Sequence, residues 1–209
     1  MSSPFVLIPV KSLAAGKSRL AGLLEPGARR SLNQYFLRKS LATAIDFTGP
    51  ERCAIVSPCD EVLKFARSLG VHAIRQCGPE GLNPGVTQGL RELRYQGAGD
   101  VIVISSDVPN VLPSDFCVAN DLGKRNGTVV IGADRHGVGT NLLFVPAGVW
   151  LRFQFGAHSL VLHVQEARRV GGEPLVHVNE RIGFDVDTPD DFQRWEGYRP
   201  NCSSLKARE

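Results

Sequence analysis

The chain has 209 residues, 43% hydrophobic and 22% charged, which suits one globular domain with a sizeable core or two small ones. Its 24 basic and 21 acidic side chains leave a formal charge of +3, too mild a surplus to argue for nucleic acid or an anionic membrane as partner. No apolar run reaches the length of a membrane span, and no basic region followed by a long apolar stretch opens the chain, so the expectation is a cytoplasmic protein without a signal peptide. The cysteines, Cys53, Cys59, Cys77, Cys117 and Cys202, are odd in number and scattered without a CxxC pair. They read as free thiols in a reducing compartment and argue against a zinc site.

The chain opens with the apolar run Phe5-Val6-Leu7-Ile8-Pro9-Val10, predicted as a strand over 5–10. A helix is predicted over 27–47, where Leu32, Phe36, Leu37, Leu41, Ala44 and Ile45 make one face. A strand over 52–57, a helix over 60–69 stopped by Gly70, and a strand over 71–75 come next. Asn83 is expected to cap a helix that begins at Pro84 and ends near Tyr95. Val101 to Ser105 is continuously apolar, as in the centre of a parallel sheet. No element is assigned between Ser105 and Thr128. Strands are expected over 128–133, 141–145 and 175–178, with a helix capped by Ser159 and ending near Gly171. Phe184 to Asp187 reads as extended, and Thr188-Pro189 starts a last helix through Trp195. The alternation predicts an α/β fold: one mixed, mainly parallel sheet flanked by helices, with a polar tail over 197–209.

Four constellations carry chemistry. Lys11 and Gly16-Lys17-Ser18-Arg19-Leu20 follow the first strand, where a cationic loop suits phosphate oxygens. They do not form a Walker A loop, because Lys11 stands where that motif needs its first glycine. Ser105-Ser106-Asp107-Val108-Pro109 ends the most apolar strand, at the sheet edge where open α/β folds bind ligands. Asp107 there either holds a divalent cation or caps the turn before Pro109. Asp185 and Asp187 lie two apart on an extended segment, so both carboxylates face one way. Their repulsion calls for a cation between them, while Asp187 or Thr188 is also placed to cap the helix that Pro189 begins. Lastly, Gly137, Gly139-Thr140-Asn141 and Phe155-Gly156-Ala157-His158-Ser159 combine glycines with polar side chains at a predicted helix start, a pattern for a second anion site that ordinary turns share. No two histidines have metal-ligand spacing, so the five are read as structural or surface groups.

Taken in order, Pro9-Val10-Lys11, Lys17-Ser18-Arg19-Leu20, Gly81-Leu82-Asn83, Ser105 to Pro109, Gly139-Thr140-Asn141, Phe155-Gly156 to Ser159 and Asp185-Val186-Asp187-Thr188-Pro189 resemble the 2-phospho-L-lactate guanylyltransferase family, over residues 5 to 195. The resemblance implies one nucleotidyltransferase domain over residues 1–196, with a glycosyltransferase type A-like fold. It implies transfer of GMP from GTP to the phosphate of a three-carbon acid (2-phospho-L-lactate, phosphoenolpyruvate or 3-phospho-D-glycerate), with release of pyrophosphate, in coenzyme F420 biosynthesis. It places triphosphate-facing cations at Lys11, Lys17 and Arg19, magnesium carboxylates at Asp107 and at Asp185 or Asp187, guanosine near Asn83, and the acceptor phosphate at Thr140, Gly156 and Ser159. Val108 stands where the family more often has leucine, and His158 where relatives often have a small residue. Two other readings stay open on sequence: a nucleotidyltransferase for another acceptor, such as molybdopterin or a sugar phosphate, and a non-catalytic nucleotide binder. The expected partners are small molecules, and a homodimer is compatible with the sequence.

Overall fold

The computed structural model of the chain describes residues 3–14 and 16–196. The polar tail over 197–209, and Cys202 within it, lie outside the described residues. Strands β1 (Phe5–Pro9), β2 (Cys53–Ser57), β3 (His72–Arg75), β4 (Val101–Ile104), β5 (Val130–Ala133), β6 (Thr140–Val145) and β7 (Leu175–His177) form one sheet in the order β3-β2-β1-β4-β6-β5-β7. β1 pairs in parallel with β2 and β4, β2 with β3, and β5 with β7. β6 runs against both of its neighbours, β4 and β5. The expected mixed, mainly parallel sheet is therefore present.

Helices α1 (Pro26–Thr48), α2 (Asp60–Ser68) and α4 (Pro113–Asn126) cover one face, and α3 (Leu82–Tyr95) and α5 (Ser159–Arg169) the other. The period-2 alternation of the strands sorts their side chains. Val6, Ile8, Ile55 and Ile102 pack with Leu37, Leu41 and Phe116 on the first face, and Leu7, Val56 and Val103 pack with Val86, Leu90 and Ala167 on the second. The short α6 (Glu180–Gly183) and α7 (Pro189–Glu196) close the chain.

Several boundaries differ from those predicted. α3 starts at Leu82 behind Gly81, whose φ of 121° favours glycine, so Asn83 sits inside the first turn and is not the cap. α5 starts at Ser159, and His158, at φ 58°, stands at the cap position. Residues 184–187 pair with no strand. α4 lies in the stretch to which the sequence reading assigned no element. Pro113 at its start and Gly127 in the left-handed conformation at its end are ordinary helix signals. Its apolar face is nevertheless thin, because Gly123 contributes no side chain: a Cβ there would lie 2.2 Å from the ring of Phe144. Close approach of helix to sheet thus removed the periodic apolar residue that would have announced the helix. Cys53, Cys59, Cys77 and Cys117 are unpaired thiols, and burial together with Glu51 pushes Cys53 up to about 12, as suits a core-filling side chain.

Candidate active site

Chain segments far apart in sequence meet at the carboxyl edge of β1 and β4. β1 has its sequential partner β2 on one side and β4 on the other, which makes this the point where the strand order reverses. β1 leads through Val10, whose N–H donates to Val56 at 2.9 Å, into the loop 11–17. β4 leads through Ser105, whose N–H donates to the Asn141 carbonyl at 2.9 Å, into Ser106-Asp107. The Ser40 hydroxyl of α1 donates to the Ser106 carbonyl at 3.0 Å and fixes that turn.

A third apolar cluster brings the remaining segment in. Leu20, Leu24, Leu32 and Phe36 pack against Val186, Phe192 and Trp195, with the rings of Phe36 and Trp195 edge to face at 4.9 Å. Because Val186 is buried in that cluster, Asp185 and Asp187 on either side of it are carried to the sheet edge. The Val186 N–H also donates to the Asp107 carbonyl at 3.2 Å. Thr188 and Asp191 make a capping box at the start of α7, so Asp187 is left free of capping duty. The pairing with Lys17 and Arg19 thus falls on Asp187 and the capping on Thr188 and Asp191.

Lys17 is the centre of the assembly. Its side chain is 4% exposed, and its ammonium lies 2.5 Å from Asp107 Oδ2 and 3.4 Å from Asp187 Oδ1. Arg19 donates to the other oxygen of Asp187 at 2.9 Å from an exposed position. Burial works against the Lys17 charge, but Asp107, then Asp187 and Asp185, outweigh it and raise the ammonium above its ordinary value. The Lys17 backbone is left-handed, at φ 61° and ψ 38°, a conformation a non-glycine residue keeps only where surroundings hold it. Gly16 beside it is required by space: a Cβ would lie 2.6 Å from the Asn33 amide, which itself donates to the Leu13 carbonyl at 2.8 Å.

These residues border a cleft of about 220 Å³ lined by Lys11, Gly16, Lys17, Leu82, Ser106, Asp107 and Asp187 among others. Lys11 is exposed at this cleft and free to meet an anion. Asp185 stands apart from it, accepting from Asn141 at 3.3 Å. Burial first, and then the charge of Asp107, holds its carboxyl above the usual carboxylate range. The carboxylates of Asp107, Asp187 and Asp185 are hard oxygen donors, the chemistry a magnesium ion takes. No group of three His, Cys, Asp or Glu already converges to hold a metal among the described residues, and the Lys17 ammonium bridges Asp107 and Asp187.

The second set of predicted residues gathers around α5. Thr140 and Ser159 are buried, and Gly156, at φ 126°, precedes the helix. The Thr140 hydroxyl lies 3.0 Å from His163 Nδ1, one helical turn after Ser159. Asn83 does not present its amide to a cleft ligand. It accepts from the Phe155 N–H at 2.7 Å and donates to the Phe155 carbonyl at 3.1 Å, fixing the loop before Gly156. The sequence reading gave no role to Asn33, grouped Asn141 with the second anion site although its amide donates to Ile182 and Asp185, and read His163 only as a structural or surface group. The spacing of His163, four residues after Ser159 on one helix face, was its only signal.

Residues 5–195 match the family described as guanylyl transferase CofC like. The chain belongs to that family. Among its relatives, the phosphoenolpyruvate guanylyltransferase of Rubrobacter xylanophilus is 36% identical over 204 residues, covering 95% of this chain and 98% of the relative. That of Sphaerobacter thermophilus is 32% identical, covering 93% of each. A Desulfovibrio desulfuricans G20 structure named for nucleotide-diphospho-sugar transfer superposes with a TM-score of 0.76 at 21% identity, over 99% of this chain and 92% of that one. The likeness in structure establishes the fold, and with the family it makes this CofC-like chain a nucleotidyltransferase. No helix of the described residues is long and apolar enough to cross a membrane.

Proposed function

We propose that the chain transfers GMP from GTP to the phosphate of a three-carbon acid, of which phosphoenolpyruvate is the favoured candidate because the named relatives above use it. The observation that carries this reading is Lys17 held between Asp107 and Asp187 at the β1/β4 edge, beside an exposed Lys11. In this reading the guanosine packs beside the Leu82–Asn83 turn, where Leu82 lines the cleft, and the triphosphate meets Lys11 and Arg19. Asp107 and Asp187, with Asp185, would hold magnesium, which supplies charge neutralisation at the α-phosphate and the leaving group.

The acceptor phosphate is ionised at neutral pH and needs no general base. One of its oxygens forms the new bond to the α-phosphorus, the α–β bridging bond breaks, and pyrophosphate carries away the electron pair. This chain's residues position and neutralise. Lys17 orders the carboxylates, Lys11 and Arg19 offset the charge of the departing pyrophosphate, and Thr140, Gly156 and Ser159 hold the acceptor. In this reading the product enters coenzyme F420 biosynthesis in the cytoplasm.

The test is pyrophosphate release from GTP with magnesium and, in turn, phosphoenolpyruvate, 2-phospho-L-lactate and 3-phospho-D-glycerate, with CTP as a parallel nucleotide. Release that requires GTP and one of the acids is expected. Release with no acid dependence, or with CTP in place of GTP, overturns the reading.

A further inference from the structure

His163 is completely buried, and each of its ring nitrogens has one defined partner. The Gln154 backbone N–H donates to Nε2 at 3.0 Å. A backbone amide can only donate, so Nε2 carries the lone pair and the neutral ring carries its proton on Nδ1. Nδ1 then donates to the Thr140 hydroxyl oxygen at 3.0 Å. The Thr140 proton cannot point back at the ring. No other acceptor for it is found among the described residues, so it is free for a ligand. The ring is held at its angle by Phe155, edge to face at 4.8 Å. Burial, partly opposed by Glu166, holds the imidazole down to about 4, so it stays neutral where enzymes work.

A phosphate dianion accepts hydrogen bonds and offers none, so its site must present donors. A hydroxyl is donor and acceptor at once, and would spend part of its time wrongly turned if its neighbour were also ambiguous. We propose that His163 is the positioning residue of the acceptor site: its Nδ1 proton turns the Thr140 hydroxyl outward as an obligatory donor, while its Nε2 holds the loop that leads to Gly156. The two bonds tie β6, the loop 154–156 and α5 together, and these elements carry Thr140, Gly156 and Ser159. The inference rests on the acceptor assignment made above.

Two measurements test it. In the full chain labelled with 15N at histidine, the ring of His163 should show a pyridine-type Nε2 and a pyrrole-type Nδ1. The opposite tautomer overturns the proposal, whatever the substrate. In turnover with GTP, magnesium and phosphoenolpyruvate, His163→Gln keeps an acceptor near Nε2 and loses the Nδ1 donor. It should raise the acceptor KM about tenfold or more, the scale of one hydrogen bond to a charged group, and leave the GTP KM unchanged. His163→Asn keeps a donor at the Nδ1 position but loses the Nε2 acceptor, and should recover only the part of that loss carried by the bond to Thr140. Thr140→Val should raise the acceptor KM as His163→Gln does, and the double variant should add little. An acceptor KM that rises in Thr140→Val but not in His163→Gln overturns the role of His163 alone. An acceptor KM unmoved in Thr140→Val overturns the acceptor assignment, and this inference with it. Should His163→Gln fail to fold, the tautomer of the native ring still decides.

Discussion

Lys17 and Asp107, 90 residues apart, form the shortest ion pair of the cleft, with the ammonium 2.5 Å from the carboxylate and almost wholly buried. Asp107 keeps contact with solvent and with the cleft, so the pair presents a carboxylate outward and hides the cation behind it. Such an arrangement costs desolvation and backbone strain, which a structural ion pair has little reason to bear. Asp107→Asn keeps the shape and removes the charge. Turnover is expected to fall about a hundredfold or more. Near-normal turnover in a pyrophosphate-release assay would remove Asp107 from the chemistry.

Asp185 gives a pH signature. Its folded value lies above the ordinary 3.8, so the folded chain binds that proton more tightly than the unfolded chain does. Ionised Asp185 therefore destabilises the fold above its folded value, and that stability returns as pH falls through the folded value toward 3.8. Asp185→Asn, which can still accept from Asn141, should melt higher than the parent at neutral pH and lose activity. The gap in Tm should close as pH approaches the ordinary carboxylate range. A gap that does not change with pH would show that burial of the charge is not the cause.

Trp195 is expected to matter to both stability and catalysis. It packs on Phe36 and Phe192 in the cluster that carries residues 185–187 to the sheet edge. Trp195→Ala should cost about 3–5 kcal/mol in urea unfolding, the usual scale for removing a buried aromatic. Turnover should fall even under conditions where the variant remains folded, because Asp187 loses its anchor. A stable, fully active variant would separate the cluster from the site.

Ser159→Ala is expected to raise the acceptor KM more than the GTP KM. If only the GTP dependence moves, the two pockets are assigned the wrong way round.

Asn83→Ala breaks both bonds to Phe155 and leaves two backbone groups short of partners, at a cost of about 1–3 kcal/mol. Its kinetic effect should appear in the acceptor KM, through the loop that leads to Gly156. A change confined to the GTP KM would return the Asn83 side chain to the guanosine.

The cationic loop and the Ser105–Pro109 turn were legible because each follows an apolar run whose pattern marks its end, and the Asp185–Pro189 segment because two aspartates two apart precede a Thr-Pro helix start. The contact of Thr140 with His163 was not. β6 has an irregularity against β5: Gly132 faces Leu142 while Ala133 faces Thr140, so Asn141 is an extra residue in the strand. Plain alternation would place Thr140 on the side of Leu142. The bulge instead turns Thr140 toward His163 and Asn141 toward Asp185 and the Ile182 carbonyl, to which it donates at 2.9 Å. α4 was missed for a different reason, since Gly123 gains its packing from absence of a side chain.

The amino-acid sequence by itself determined the alternating α/β order, the apolar strands at the centre of the sheet, and which short segments carry cations and carboxylates. These are local properties of hydrophobic period and turn chemistry. Only the tertiary structure decided that Lys17 sits between Asp107 and Asp187, that β6 reverses direction beside β4, and that one extra residue sets which face of the sheet Thr140 and Asn141 each take. Those depend on strand register and on a cluster joining residues 20–36 to 186–195, and such long-range packing leaves no periodic trace in the segments that make it.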